Sequence, residues 1–426
     1  MSSLEAVVYD ANELVVGPRE PRNGTAAVET IEDAAVAIVD GTVAAIGSTD
    51  EVTSTYPPEN AAEAIDASGR AVLPGFVDPH THAVFAGDRS DEFAAKLCGA
   101  TYQEIMAEGG GILRTVRAVR NADTERLVAN LLDQLDVMLA HGTTTAEVKS
   151  GYGLDVESEL RLLEAIDRAD SRHPVDLVPT FMGAHAVPDE AADTTQYVDA
   201  VIDEQLPAVA EQGVATFCDV FCEEGVFDVD QSRRVLEAGT EYGLTPKVHA
   251  EEFTRLGGAQ LAADVGAASA DHLLHATEAD ATALASNDVT PVFLPGTAFA
   301  LGEEYASLDA FRAADAPVAL ATDLNPNCYS QSMQFAVALG CLGMRMTPAE
   351  ATTAATAHAA RAIDRTDGSG TLAEGAPGDI VIADVPTHVH LPYNFAVNNV
   401  ATVLKRGTVV YTHAADTGSE HERIRR

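Results

Sequence analysis

Short apolar runs alternate with long amphipathic stretches through the middle of the chain. The apolar runs are Val72–Val77, Thr143–Val148, Leu177–Phe181, Lys247–Ala250, Val292–Leu294 and Val318–Ala321. The stretches rich in Ala, Leu and Glu include Thr124–Ala140, Val156–Ala169 and Thr194–Gln212. Strand–helix alternation over roughly 300 residues predicts a parallel α/β fold, and the length suits a (β/α)8 TIM-like barrel. A doubly wound sheet is the alternative fold, but no Gly-x-Gly-x-x-Gly motif follows an early strand.

The two ends of the chain have a different pattern, which is typical of β-structure. Asp40-Gly41 separates two β-rich runs within Ala35–Gly47, and this dipeptide favours a hairpin turn. Asp379–Val385 and Asn399–Thr412 are also β-rich, and Arg406-Gly407 interrupts the second of them. Because chain termini often lie close together, we predict one small antiparallel β-sandwich domain from residues 1–72 and 370–426. Residues 73–369 would form the barrel.

The charge of the chain limits its partners. Its 66 acidic residues outnumber 26 basic ones, which gives a formal net charge of −40. Such a field repels nucleic acid and anionic membranes, so we expect a small-molecule substrate. The basic residues include only four lysines, which are Lys96, Lys149, Lys247 and Lys405. Because molar salt screens charges beyond about 3 Å, we interpret this acidic, lysine-poor composition as an adaptation to high salt.

The scattered cysteines and the lack of a recognisable targeting pattern indicate an ordinary cytoplasmic protein. The five cysteines are odd in number and scattered, which argues against a disulfide framework. The chain has no apolar run of the length that a membrane helix needs. Its first residues lack the basic region and apolar stretch of a signal peptide. We therefore expect the protein to be cytoplasmic.

The segment Leu73–His82 carries the most informative motif. An apolar run leads there to His80 and His82. Successive side chains of a strand point to opposite faces, so these two histidines point the same way. Two imidazoles that converge at the end of a strand can bind one metal ion. On a barrel, this end of the strands is where active sites lie.

Three further polar residues stand at or after other short apolar segments. His249 lies in Lys247–Ala250, His272 follows Ala270-Asp271, and Asp323 follows the run that ends at Ala321. If each projects from a different barrel strand, all of them reach the same mouth. Imidazole and carboxylate ligands together suit Zn²⁺ or Fe²⁺ rather than Ca²⁺.

Together these features resemble the amidohydrolase superfamily, whose barrel carries His-x-His after the first strand, His after the fifth and sixth, and Asp after the eighth. The resemblance implies one Zn²⁺ or Fe ion per subunit, bound by His80, His82, His249 and Asp323. Two-metal members carry a carboxylated lysine near the fourth strand. The segment around Lys149 looks instead like the one-metal branch, so Lys149 is interpreted as a structural residue or a support of the metal ligands.

Within the superfamily, the chain looks most like the branch that opens a five-membered cyclic amide with a propionate tail. The similarity covers nearly the whole sequence. The motifs that carry it are Phe85–Arg89, Gly99–Tyr102, Gly109–Ile112, Lys149–Leu154, Thr180–His185, His249–Glu252 and Asp323–Pro326. This resemblance implies substrate contacts from Arg89, Tyr152, His185, Glu252 and Asn325. Contacts at Asn327 and Cys328 are also implied, although the family commonly has Gly and then Ser or Thr there.

The expected reaction is a hydrolysis with acid–base assistance. Glu252 lies three residues after His249, so we assign it the role of general base and then of general acid to the leaving ring nitrogen. His272 and His185 are candidates to hold the carbonyl or the developing oxyanion.

Two other functions compete with this hydrolase. The first is a deaminase of a nitrogen heterocycle, which would release ammonia. The second is a non-catalytic relative that has lost its metal, and the presence of every ligand type argues against it.

The resemblance also implies a homodimer.

Overall fold

A computed structural model describes residues 3–22, 25–101, 104–105 and 109–413. Tyr102 of the Gly99–Tyr102 motif lies outside the described residues. The chain divides into two compact units. The first comprises Met1–Asp78, Asp136–Thr145 and Ser332–Arg426, and the second Pro79–Leu135 and Ala146–Gln331. The sequence-based division at residues 73 and 369 remains a prediction.

The secondary structure alternates as the sequence pattern predicts. The strands are β1 Leu4–Arg22, β2 Thr25–Val39, β3 Thr42–Ser48, β4 Glu63–Asp66, β5 Ala71–Pro74, β6 Phe76–Asp78, β7 Thr143–Lys149, β8 Asp176–Ala184, β9 Phe217–Cys222, β10 Thr245–Ala250, β11 Ser269–His272, β12 Thr290–Phe293, β13 Ala319–Leu320, β14 Ile380–Ala383, β15 Val400–Lys405 and β16 Thr408–Thr412. The helices are Thr49–Thr55, Ser90–Leu97, Ile112–Arg120, Thr124–Ala140, Val156–Asp170, Thr194–Ala200, Leu206–Gln212, Val229–Glu241, Gly258–Val265, Glu278–Ser286, Pro295–Leu301, Leu308–Ala313, Met333–Leu342, Pro348–Ala354, Ala357–Arg361 and His390–Tyr393, with a 3₁₀ turn at Pro58–Asn60 and a π turn at Val201–Gln205.

Both ends of the chain form one sheet, in the order β16-β15-β14-β5-β1-β2-β3, with β4 also paired to β1. The hairpin turn predicted at Asp40-Gly41 is confirmed, Arg406-Gly407 also connects two antiparallel strands, and all four residues have positive φ. The expectation of a wholly antiparallel sheet is wrong, since β1 runs parallel to β4 and β5. Alternate residues pack on opposite faces: Val36 and Ile38 belong to one apolar cluster and Ala37 to another.

The second sheet is the predicted barrel, in the order β13-β12-β11-β10-β9-β8-β7-β6. The strand pairs from β8 to β13 are parallel. Two backbone hydrogen bonds beyond the ends of β6 and β13 help to close the barrel. Asp323 N–H donates to His80 O at 3.2 Å, and His82 N–H donates to Leu324 O at 2.9 Å. Five of the six apolar runs each correspond to one barrel strand, whereas the sequence analysis did not identify β9 (Phe217–Cys222) as a strand.

The run Val72–Val77 is not one strand, contrary to the sequence interpretation. It breaks at Gly75, so that β5 joins the terminal sheet and β6 begins the barrel. Gly75 N–H donates to Asp379 O, and a Cβ atom at this position would lie 2.1 Å from Thr144 Oγ1. The close approach excludes any side chain at the break. An apolar run that contributes strands to two different sheets therefore looks like a single strand in the sequence.

The helix Thr194–Gln212 is confirmed with one irregularity. A π turn at Val201–Gln205 divides it, and Leu206 N–H donates to Val201 O, five residues back. Pro207 follows directly and has no amide hydrogen to continue the regular ladder. Elsewhere the helix ends agree with capping chemistry: Asp155, for example, accepts from Ser158 N–H at the start of Val156–Asp170. None of the helices in the described part of the chain is long and apolar enough to cross a membrane.

Candidate metal centre and cavity

Four side chains with metal-binding atoms converge at the carboxyl ends of the barrel strands. His80 and His82 follow β6, His249 lies in β10, and Asp323 follows β13. The Nε2 atoms of His249 and His82 lie 3.3 Å apart. Asp323 Oδ1 lies 3.6 Å from His80 Nε2 and 3.8 Å from His82 Nε2. All four residues are at most 3% exposed.

The atoms that converge fit a metal ion. His80 Nε2 and Asp323 Oδ1 are buried and have no hydrogen-bond partner among the described residues. An unsatisfied buried polar atom is costly, so such a cluster is stable only when something binds it. His80, His82 and Asp323 form one group able to hold an ion, and His80, His249 and His272 form another. Burial lowers the pKa of both His80 and His82, which keeps the rings neutral as ligation requires.

Carboxylates behind the histidines fix the direction in which the rings point. Asp271 Oδ2 lies 2.6 Å from His80 Nδ1, and Asp219 Oδ1 lies 3.1 Å from His249 Nδ1. A partner on Nδ1 leaves Nε2 with its lone pair facing the other ligands. Neither Asp219 nor Asp271 was identified from the sequence. Asp219 is a carboxylate inside the otherwise apolar strand β9. Because buried carboxylates need partners, this position is the signal in the sequence that could have identified Asp219.

Two lysines neutralise these buried carboxylates. Lys149 Nζ lies 2.7 Å from both Glu147 Oε1 and Asp219 Oδ2, and 3.8 Å from Asp271 Oδ2. Lys247 Nζ lies 3.4 Å from Glu147 Oε1 and donates to Pro79 O. Burial opposes the charged form of Lys149, but its three carboxylate neighbours outweigh burial and raise its pKa. Lys149 thus lies next to the carboxylates that contact His249 and His80, and its role as a support of metal ligands remains a prediction.

Glu252 lies beside the metal-binding cluster in a buried position. Its Oε2 atom lies 3.6 Å from His272 Nε2. Burial raises the pKa of Glu252 well above its usual range, and the charges of Asp323 and Glu223 add to the shift. Glu223 also accepts hydrogen bonds from Phe253 N–H and the Thr254 hydroxyl, which holds the loop directly after Glu252. A carboxyl group with a raised pKa near a cluster of ligands suits proton transfer near neutral pH.

The two histidines assigned to the carbonyl differ in their hydrogen bonds. The His185 ring stacks on His82 with 4.8 Å between centroids, and His185 Nδ1 lies 2.9 Å from Gly151 O. A carbonyl accepts only, so Nδ1 carries the proton and Nε2 is an acceptor. Burial lowers the pKa of His185 to about 3, which keeps the ring neutral. His272 Nδ1, in contrast, has no partner among the described residues.

The predicted site residues surround one cavity of about 990 Å³ within the second unit. Of the predicted residues, the lining includes His82, Arg89, Tyr152, His185, His249, Glu252, His272, Asp323, Asn325 and Asn327. His80 is fully buried and is not among the lining residues. Cys328 does not line this cavity: its Sγ atom is buried 3.7 Å from Thr322 O, and its N–H donates to Asn325 Oδ1. The side chain therefore packs inward rather than facing a substrate.

The other polar residues that line the cavity are buried or are fixed by hydrogen bonds. Arg89 Nε donates to Glu92 Oε2 at 2.9 Å, Arg89 Nη2 lies 2.9 Å from the same oxygen, and the Arg89 side chain is only 10% exposed. Asn325 donates from Nδ2 to Asp323 O, next to the metal-binding carboxylate. Burial raises the pKa of Tyr152, whose ring lies 5.3 Å from that of His185. The Thr297 hydroxyl donates to Asp323 Oδ2 at 2.5 Å, and burial raises the pKa of Asp323 to about 6.

Comparisons with known proteins agree with a barrel of this class. The model of the amidohydrolase family matches residues 71–410, so the chain belongs to that family. A solved adenosine deaminase from Xanthomonas campestris with bound zinc has the same fold, with a TM-score of 0.72 over 96% of this chain and 93% of that one, at 17% identity.

Two relatives narrow the assignment within the family. The imidazolonepropionase of Haloarcula marismortui is 68% identical over 97% of both chains. The imidazolonepropionase of Halobacterium salinarum is 67% identical over 96% of this chain and 98% of the relative. At this identity and coverage, the chain groups with the imidazolonepropionases.

Proposed function

We propose that this protein hydrolyses the ring amide of 4-imidazolone-5-propanoate to N-formimidoyl-L-glutamate, a step of histidine degradation. The observation that carries the proposal is the 68% identity to a protein named imidazolonepropionase over 97% of both chains. The cavity supports it, because a candidate metal centre, a buried carboxyl group and two cations face one space.

His80, His82, His249 and Asp323 would hold one zinc or iron ion. When bound, such an ion polarises a carbonyl group and lowers the pKa of water. The chain prepares these ligands before any ion arrives, since Asp271 and Asp219 orient two of the rings. His272 is the alternative ligand. We assign it to the substrate instead, because its Nε2 atom faces Glu252.

Glu252 takes a proton from the attacking water and delivers it to the ring nitrogen that leaves. The oxygen of water joins the ring carbonyl carbon, the C–N bond of the amide breaks, and the nitrogen gains the proton. A carboxyl group whose pKa burial raises can accept and return a proton near neutral pH. Glu223 supports this role by fixing the backbone at Phe253.

His272 and His185 contact the substrate in different ways. His272 donates a hydrogen bond to the carbonyl oxygen as negative charge develops on it. His185 cannot share that role in its present tautomer, because its Nδ1 proton is given to Gly151 O. Its Nε2 atom is an acceptor, which suits a ring N–H of the substrate.

Arg89 binds the propionate tail of the substrate. Its Nε edge is already occupied by Glu92, so the terminal Nη edge remains for a carboxylate. The same Glu92 holds the guanidinium in a fixed orientation. Asn325 and Asn327 line the same cavity, and we assign them further contacts with the substrate.

Two general expectations complete the proposal. Adaptation to high salt is supported by the net charge of −40 and by only four lysines. A homodimer is expected from the family resemblance alone.

The direct test is to incubate the purified protein with 4-imidazolone-5-propanoate and to identify the product by mass spectrometry and NMR. We expect N-formimidoyl-L-glutamate without free ammonia. Release of ammonia would instead indicate the deaminase alternative, and no turnover by metal-loaded protein would contradict both.

A further inference from the structure

Two cations, Arg89 and Lys96, line the cavity, and they differ in how their charge is balanced. Arg89 directly precedes the helix Ser90–Leu97, and Lys96 lies in its last turn. Lys96 is seven residues from Arg89, which is about two helical turns along the chain. The cavity lining contains both of them. The same helix thus presents two positive charges to one space.

The charge of Arg89 is already partly balanced. Glu92 lies one turn away, and its Oε2 atom accepts from Arg89 Nε at 2.9 Å and lies 2.9 Å from Arg89 Nη2. Glu92 is itself buried and also accepts from Gly111 N–H, which anchors the pair in the fold. Arg89 therefore has fixed geometry, and Glu92, which also lies 3.5 Å from Arg114 Nη1, balances only part of its charge.

The charge of Lys96 is not neutralised in this way. Its Nζ atom donates to Asn327 Oδ1 at 2.6 Å, and an amide oxygen carries no formal charge. Among the described residues, no carboxylate lies within 4 Å of Lys96 Nζ. The side chain is partly buried, so its charge is not fully balanced by water either. Burial, followed by the nearby Arg89, lowers the pKa of Lys96, and the charge of Glu92 opposes this shift.

The rest of the cavity makes an unpaired cation more useful. The lining includes the carboxyl groups of Glu223, Glu224, Glu252 and Asp323. The whole chain carries a net charge of −40, which repels an anionic substrate. An anion that enters this cavity needs a cation that is not already paired with a carboxylate of the protein. Lys96 is the lysine of the chain that meets this condition.

We propose that Lys96 is a specificity residue that binds the substrate carboxylate together with Arg89. This inference rests on the proposed function and adds to it. Arg89 supplies fixed hydrogen-bond geometry, whereas Lys96 supplies net charge, and Asn327 holds the ammonium group at the mouth until the carboxylate arrives. The alternative is that Lys96 only stabilises the carboxyl end of its helix and the loop at Asn327.

The test compares binding of a charged ligand with that of a neutral one. Lys96→Met removes the charge and keeps the length of the side chain, and Lys96→Arg keeps the charge. Arg234→Gln is the matched control, because it also removes one positive charge but lies in an exposed ion pair with Asp199. Inhibition constants would be measured for 3-(imidazol-4-yl)propanoate and for its uncharged propanamide. Thermal unfolding would verify that each variant is folded.

We expect Lys96→Met to weaken inhibition by the propanoate about tenfold or more, the usual value of a hydrogen bond to a charged group. Inhibition by the propanamide should be unchanged, KM for the substrate should rise, and kcat should change little. Lys96→Arg should largely restore propanoate binding, and Arg234→Gln should affect neither compound. Equal losses for both ligands, or no loss for either, would overturn the proposal. Failure of the wild-type protein to hydrolyse the imidazolone would contradict the proposed function instead, since propanoate selectivity is measured without turnover.

Discussion

Replacing Lys149 by methionine should weaken both metal binding and folding, although Lys149 is not a predicted ligand. Its ammonium group lies 2.7 Å from Asp219 Oδ2 and from Glu147 Oε1. Asp219 in turn orients His249. Lys247 lies 3.4 Å from Glu147 and can partly replace the lost charge there. Asp219 keeps His249 and the Val220 N–H as partners but loses its contact with an ammonium group, so the damage should concentrate on His249.

The magnitude follows from the two close pairs. At 2.7 Å and an effective dielectric constant of about 20, each pair contributes roughly 6 kcal/mol of Coulomb energy before the cost of desolvation. Removal of one partner from a buried pair typically costs about 3–5 kcal/mol in unfolding free energy. Loss of an oriented support behind a ligand typically lowers metal affinity about 10- to 100-fold. We expect both effects in Lys149→Met.

The assay must separate these two effects. Unfolding free energy would be measured by denaturant titration at fixed salt, and metal affinity by competition with a chelator at a temperature where the variant is folded. Lys405→Met is the matched control, because Lys405 is also buried and its Nζ atom lies 2.6 Å from Asp379 Oδ2 in the other unit. It should lose a similar amount of stability and keep normal metal affinity.

Several outcomes would refute this reasoning. If Lys149→Met lost stability but bound metal with wild-type affinity, the buried charges would serve folding alone. Equal loss of metal affinity in Lys405→Met would show that general destabilisation explains the effect. If Lys149→Met does not fold, Asp219→Asn tests the same support with a smaller change in shape. Normal affinity in that variant would likewise contradict a role behind His249.

Four other predictions concern the site and the surface. His249→Ala should lose metal and activity together, because a site without one protein ligand binds poorly; metal analysis that finds full occupancy would exclude His249 as a ligand. Glu252→Gln should keep its metal and lose about 100-fold or more in kcat; an unchanged rate would exclude it as the base. Arg89→Lys should raise KM for the propionate substrate strongly and leave metal content intact, because lysine lacks the planar fork; equal loss for a substrate analogue without the carboxylate would contradict a role in tail binding. The melting temperature should rise steeply from low to molar KCl as repulsion is screened, and a flat curve would contradict adaptation to salt.

Much of the barrel could be predicted because its pattern depends on local rules. The period of two in a strand places His80 and His82 on one side, and the structure places their ring centroids 5.3 Å apart. The hairpin turn at Asp40-Gly41 follows from the ease with which Asp and Gly adopt positive φ. Such features need only a few neighbouring residues, so a single sequence contains them.

The features that could not be predicted depend on contacts between distant segments. Asp271 and His80 are 191 residues apart, and neither contains a signal that names the other. The pairing of Lys149 with Asp219 spans 70 residues in the same way. Cys328 was carried over from a family motif, yet its thiol packs toward Thr322 O and not into the cavity. Register and side-chain direction decide these contacts, and both arise only when the barrel closes.

Composition contains a further clue, which becomes informative once the fold is known. Arginine supplies the exposed ion pairs, such as Arg114 with Asp91. The four lysines have other surroundings. Two lie among the carboxylates behind the metal ligands, and a third is buried against Asp379. If selection for an acidic surface removes lysines wherever their charge is dispensable, those that remain mark positions where an ammonium group is required. Lys96 is partly exposed and pairs with no described carboxylate, so by this argument its partner comes from outside the chain.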